Sequence, residues 1–328
     1  MDREFVFSHP EVQALIREKF IPLAMDDWYL RRQNDAYGKF FIEMTKPSPR
    51  GNAGDNTRQG RYVFTASGKF LGFNNNRSPE RILPMLRDSL AKWDALPSAE
   101  KQPPGGTGDL SREARYLRIP PVDGAVVKVF TRVLERTKEG KFTKVTPPES
   151  APGDLRHRGF DAATDHLWLN AADLKTLLPP PDAKPGTTIP VPRALAQRIA
   201  RYHFVDSTRG EPPHWKRDEA KTVTLTLTVE SAKRAKLVGR VHMETSDGTR
   251  GYIATLDGWL EHDRGKLTAL HAVATGDHWG DSPLTAGARL GKSPLGVAFA
   301  LCPDPKGADS IPPQGARWLD GYYDPDRN

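Results

Sequence analysis

A single cysteine, Cys302, serves the whole 328-residue chain. That scarcity excludes an intramolecular disulfide, dithiol–disulfide chemistry within the chain, and a cysteine-rich zinc site. It leaves the compartment open, since cytosolic proteins and exported ones without disulfides share it. No run of eighteen apolar residues occurs, so nothing reads as a membrane-spanning helix and the chain reads as soluble. Residues 1–20 carry Asp2, Arg3, Glu4, Arg17, Glu18 and Lys19, a charge pattern foreign to a signal peptide, though an exported mature form stays open. Gly-x-Gly-x-x-Gly, the Walker loop and the Gly-x-Ser-x-Gly elbow are all missing. Nucleotide or flavin binding and the commonest hydrolase chemistry therefore have no motif behind them. Histidine pairs at His-x-His or His-Glu-x-x-His spacing are missing too, so a metal site would need long-range assembly.

What is present begins with charge. The formal net charge is +7, and the surplus sits in the middle of the chain. Residues 101–220 hold 20 basic against 15 acidic side chains, while residues 221–328 balance at 13 of each. Arg112, Arg115, Arg118, Lys128, Arg132, Arg136, Lys138, Lys141 and Lys144 make a basic stretch that can attract polyanions. Glu113, Asp123, Glu135 and Glu139 interrupt it. An ordinary solvated face ranks above nucleic-acid or polyanion binding through residues 112–144.

The length gives two domains as a prior. Near the amino end, Ser8 and Glu11 have capping-box spacing, ahead of a stripe at Val12, Leu15 and Ile16. Phe20–Met25 is short and apolar, which predicts a buried strand, and residues 28–44 predict a helix. Residues 46–59 read as a loop, and 61–65 with 70–73 as a β-hairpin across Ala66-Ser67-Gly68-Lys69. Pro79 opens a helix with Ile82, Leu83, Leu86, Leu90 and Trp93 on its apolar face.

Two phrases here, Phe7-Ser8-His9-Pro10-Glu11-Val12 and Phe20-Ile21-Pro22-Leu23-Ala24-Met25-Asp26, match a "FSDPEV" helix entry and a "FVPVxxD" strand. With the hairpin phrase Ala66–Leu71, residues 4–96 resemble the thioredoxin-like superfamily. The resemblance implies a Cys-x-x-Cys pair just before Phe7 and a proline before the hairpin. This chain has neither, and Thr57-Arg58-Gln59-Gly60 stands at the second place. The expectation is a degenerate, redox-inactive thioredoxin-like α/β domain over residues 1–96. Phe5, Phe7, Trp28 and Tyr29 would border the vacant redox position, as a peptide surface or as ordinary core.

Pro97, Pro103-Pro104-Gly105-Gly106 and Pro120-Pro121 mark residues 97–121 as a linker. Residues 122–328 then read as mainly antiparallel β, with helices near 170–178 and 192–204. Strands are expected at 126–134 and 166–169. After residue 220 the period becomes two: Val223, Leu225, Leu227 and Val229 alternate with Thr222, Thr224, Thr226 and Thr228. Further strands follow through Leu237, Val241 and Met243 and at 251–262, 266–275 and 295–302. Tight turns are expected at Asp247-Gly248 and Arg264-Gly265. The fold class is thus α+β, the second domain a barrel-like or curved sheet packed on two helices.

Six of the nine histidines lie between residues 203 and 278. Gly276-Asp277-His278-Trp279-Gly280 is expected as a rim loop in which Asp277 orients His278 and Trp279 supplies a flat wall; the alternative is a capped turn. Glu211-Pro212-Pro213-His214-Trp215 has the same chemistry. Together they suggest a pocket with His214, Asp277 and His278 as catalytic groups. Trp215, Trp279, Arg209 and Arg250 would be ligand-binding, the arginines for an acidic ligand. His214, His271 and His278 are the candidate ligands for a divalent metal, with individually hydrogen-bonded histidines as the alternative. Cys302 falls on the small-residue face of its strand and reads as a buried filler rather than a nucleophile. The first functional expectation is a non-redox binding or interaction protein, its partner a small molecule or a protein. The second is an enzyme with a His/Asp pocket, metal-dependent or not.

Overall fold

The computed structural model describes residues 6–52, 54, 56–102, 116, 118–145, 162–283, 285, 287–316 and 318–324. These divide into two compact units, residues 1–117 and residues 118–328. No helix among the described residues is long and apolar enough to cross a membrane.

The first unit comprises α1 (Pro10–Lys19), α2 (Asp27–Leu30), α3 (Ala36–Thr45), β1 (Arg61–Phe64), β2 (Phe70–Asn74), α4 (Pro79–Asp94) and the short α5 (Ser98–Lys101). Proline in the first turn starts both α1 and α4, where a missing N–H costs nothing. The expected Ser8–Glu11 capping box is not what starts α1: its N-cap is His9, and Glu11 instead pairs with Arg87. The helix expected over 28–44 is two, because Asp35 begins a new one by accepting from Gly38 N at 3.0 Å. β1 and β2 form an antiparallel hairpin. Its alternation divides the core, since Val63 packs with Val12, Ile82, Leu83 and Leu86, while Tyr62 and Phe64 pack with Leu30, Phe41 and Met44.

Phe20–Met25 is not the buried strand its composition suggests. It joins no strand pairing among the described residues, and Ile21 and Leu23 are 96% and 65% exposed. A strand needs a neighbour to satisfy its backbone, and among the described residues the hairpin's sheet has two members. Thr57 and Arg58 are tied to α2, with Asp27 accepting from Thr57 Oγ1 at 2.7 Å and Arg58 N at 3.0 Å. Of the expected linker, residues 103–115 and 117, including Arg112 and Arg115, lie outside the described residues, as does Phe5.

The second unit is built on nine antiparallel strands: β3 (Ala125–Arg136), β4 (Phe142–Lys144), β5 (Ala163–Leu169), β6 (Thr188–Pro190), β7 (Ala220–Ser231), β8 (Arg234–Glu244), β9 (Gly251–Asp263), β10 (Lys266–Trp279) and β11 (Ser293–Cys302). Their order is β4-β3-β11-β10-β9-β8-β7-β6, with β5 beside the first half of β3. The sheet is open, with β6 at one edge and β4 and β5 at the other, so the barrel expectation gives way to an unclosed sheet. β6 lies in the proline-rich stretch 179–192, where no strand was expected, and three residues are all it contributes.

The helices of this unit are α6 (Ala171–Leu177), α7 (Arg193–His203) and α8 (Leu319–Tyr323). Asn170 and Asp173 form a reciprocal capping box at α6. The inner face of the sheet, with Leu225, Leu227, Leu237, Val241, Met243, Tyr252, Leu256, Val297 and Phe299, joins one continuous core with Leu195, Ala196, Ile199, Ala200 and Tyr202 of α7. Burial of Arg198, Arg201 and His203 shows that α7 is covered on its charged side as well. Arg264 and Gly265, at φ 48° and 76°, make the tight turn between β9 and β10.

Candidate functional site

Just beyond α7 the chain turns back on itself, and tryptophan fixes the return. Trp215 N donates to Arg201 O at 3.0 Å, Arg201 Nε donates to Trp215 O at 2.8 Å, and the Trp215 indole donates to Phe204 O at 2.8 Å. The first and third of these bonds satisfy carbonyls that the end of α7 would otherwise leave orphaned. Trp215 is 1% exposed.

Between Phe204 and Trp215 lies a buried ion pair. Asp206 Oδ1 accepts from Thr208 N at 3.0 Å and Thr208 Oγ1 at 2.6 Å, and Oδ2 accepts from Arg209 Nε at 2.8 Å. Arg209 then reaches the chain beyond β10. It donates to Asp281 Oδ1 at 2.9 Å, to Thr285 O, and to Gly280 O at 3.5 Å. Gly280, at φ 85°, permits this path: a Cβ there would meet Thr249 O at 2.0 Å.

Arg250, immediately before β9, lies with its guanidinium 4.0 Å from the Trp215 ring centre. Glu219 is 3.9 Å away, and among the described residues the Arg250 Nε has no hydrogen-bond partner. Arg250 is 7% exposed. His278, on the inward side of β10, has neither ring nitrogen hydrogen-bonded among the described residues. Val205, Asp206, Pro212, Trp215, Arg250, His278, Gly280, Ser282 and Thr285 together line a small cavity with room for about one water molecule.

The electrostatics follow from burial. Desolvation pushes the His278 imidazole down to about 4, with Asp206 pulling the other way and Arg209, Arg250 and Arg289 adding to the depression. The ring is neutral at physiological pH. Burial works to raise the Asp206 carboxyl, but the His278 and Arg209 charges and the hydrogen bonds from Thr208 and Arg209 outweigh it and leave it below the ordinary carboxylate value. At neutral pH, where His278 is uncharged, Arg209 and the hydrogen bonds carry this effect. Desolvation lowers Arg250 as well, against the pull of Glu219.

Of the sequence candidates, Arg209, Trp215, Arg250 and His278 converge on this one region. The others do not. β10 continues to Trp279, so the expected rim loop is strand, and Asp277 and His278 point to opposite faces. Asp277 pairs with Arg136 at 2.8 Å on the outer face and cannot orient the His278 ring. His214 stacks on Tyr202 at 4.6 Å. The Trp279 indole donates to Gly248 O at 2.9 Å, and Lys292 Nζ lies 4.3 Å from its ring centre. His271 lies near Trp259 on the outer face, with ring centres 4.8 Å apart. Among the described residues no group of three His, Cys, Asp or Glu side chains could hold a metal ion. His214, His271 and His278 therefore form no shared site.

Sequence reasoning missed Asp206, Glu219, Ser282 and Thr285. Asp206-Ser207-Thr208 has the spacing of an Asx turn, and that was the available signal. It also missed a second buried cluster at the other side of α7. His203 Nδ1 lies 3.1 Å from Asp165 Oδ2 and Nε2 lies 3.0 Å from Tyr322 OH, while Gln314 N donates to Asp165 Oδ1 at 2.7 Å. With the proton on Nδ1, the ring donates to Asp165 and Nε2 accepts from the tyrosine. His203 and Tyr322 are each 1% exposed and burial holds the phenol well above its ordinary value, so this chain of bonds ties α8 to α7 without reaching solvent. Cys302 is buried, with its thiol 3.7 Å from Asp309 Oδ2; burial and that carboxylate push it up.

No family model, no curated protein and no solved structure matches this chain.

Proposed function

We propose that the chain is a non-redox binding protein, with a degenerate thioredoxin-like docking domain in the first unit and a ligand-holding site in the second. The observation that carries this reading is Arg250: a buried cation on the wall of a cavity, stacked on Trp215, with its Nε unpartnered and no carboxylate within hydrogen-bond distance among the described residues. A buried charge left this poorly compensated costs several kcal/mol, a cost that a bound partner offsets. For the first unit, support comes from the order of helices and hairpin and from a hairpin with apolar packing on both faces.

A second reading, an enzyme using His278, rests on the neutral imidazole beside Asp206. Its low basicity makes it a weak proton acceptor at neutral pH. Asp277, on the opposite face, is out of reach as its helper. Polyanion binding through residues 112–144 draws less support, since Lys128 is paired with Asp309 and Arg136 with Asp277.

A screen of small molecules of negative, zero and positive charge, read by thermal denaturation of the full chain, tests the binding reading. At least one class is expected to raise the melting temperature of the wild type and to lose that effect in Arg250→Gln. A screen without a hit of any charge contradicts it.

A further inference from the structure

We infer that the cavity beside Arg250 binds a compact monovalent anion, a halide ion or one carboxylate oxygen of a small organic acid. This inference rests on the cavity being a ligand site and adds the charge and size of what fills it.

Arg209 and Arg250 stand against Asp206, Asp281 and Glu219 there, and the two arginines are not equivalent. Arg209 spends its donors on Asp206, Asp281, Thr285 O and Gly280 O. Asp206 in turn has both oxygens occupied by Thr208 and Arg209. That pair is internally satisfied. Arg250 is not: Glu219 stands 3.9 Å off, and its Oε2 already accepts from Lys216 N at 2.8 Å. The Trp215 face gives Arg250 a cation–π contact but no acceptor.

The remaining polar wall is rich in donors. Ser282 Oγ and Thr285 Oγ1 are bonded to each other, which uses one of their two hydroxyl hydrogens. His278 adds a ring N–H without a partner among the described residues, and it is 6% exposed. Donors lining a cavity wall whose one carboxylate, Asp206, has both oxygens occupied form the complement of an anion. Size narrows the class further. Space for about one water molecule accepts a single atom, a halide ion or one oxygen of a larger anion.

Chloride-35 NMR line broadening on the full chain tests the inference. The wild type is expected to show saturable broadening that formate and acetate reverse. Arg250→Gln should weaken it by about tenfold or more, the scale of one lost charge-assisted bond. Arg264→Gln, at a side chain 92% exposed, should leave it unchanged. Should Arg250→Gln fail to fold, Thr285→Val, which keeps the shape and removes one donor, is expected to weaken the broadening several-fold. Formate or acetate binding without chloride broadening still supports the inference and identifies the carboxylate as the source. Binding only of neutral or cationic molecules would overturn the anion while sparing the cavity as a ligand site. Absence of binding by any class would overturn both.

Discussion

The Arg250 guanidinium lies 4.0 Å over the Trp215 ring, nearly as far as it lies from the Glu219 carboxylate, at 3.9 Å. Trp215 therefore holds the cation by its face and holds the end of α7 by its indole N–H. Trp215→Phe keeps a ring but loses the bond to Phe204 O and part of the cation–π attraction. A loss of roughly 2 kcal/mol is expected from chemical denaturation, together with weaker anion binding.

The buried Asp206–Arg209 pair predicts an asymmetry between two aspartates bound to one arginine. Asp206→Asn leaves Arg209 without its buried counter-charge and should cost roughly 3 kcal/mol. Asp281, with its side chain 54% exposed, should cost below about 1 kcal/mol as Asp281→Asn. Urea denaturation of both variants checks this, and equal losses would contradict the ranking.

The His278 imidazole carries a pH signature. Its folded-state value, about 4, lies below the ordinary histidine value of 6.5, so the unfolded chain binds the proton more readily. The neutral ring's contribution is complete above about pH 6.5 and is lost as the pH falls towards 4, by roughly 3 kcal/mol. His166 and His214 are shifted in the same direction. His278→Gln should flatten the stability profile in that window without removing the slope entirely. An unchanged slope would contradict the burial of a neutral His278.

Tyr322→Phe removes the donor to His203 Nε2 and leaves that nitrogen unsatisfied in the core. A loss of about 1–2 kcal/mol is expected, with earlier proteolysis of the carboxyl-terminal segment. Anion binding should be unaffected, because none of the cluster's residues lines the cavity. Loss of binding in this variant would mean that the two polar clusters act as one.

Much of the second unit was legible because alternation writes a half-buried strand directly into sequence. The Thr/Val and Thr/Leu alternation of β7 and the Leu195–Ile199–Tyr202 stripe of α7 both became core as read. Composition alone misled at Phe20–Met25, where apolar residues without a neighbouring strand stay exposed. Glycine misled at Gly276. It reads as a loop boundary, but the strand continues through it because the backbone at Ile253 and Ala254 comes so close that a Cβ would meet Ile253 O at 1.9 Å. That continuation put Asp277 and His278 on opposite faces. The four residues that did converge, Arg209, Trp215, Arg250 and His278, come from three separate stretches. Their neighbours Asp206 and Thr285 carry no pattern that separates them from ordinary turn residues.

Anomalous diffraction from crystals of the full chain soaked in bromide examines the anion at Arg250 most directly. The expected result is a bromide peak inside the cavity, touching the Arg250 guanidinium and within reach of Thr285 and His278. A cavity holding only water while bromide occupies other surfaces would contradict it.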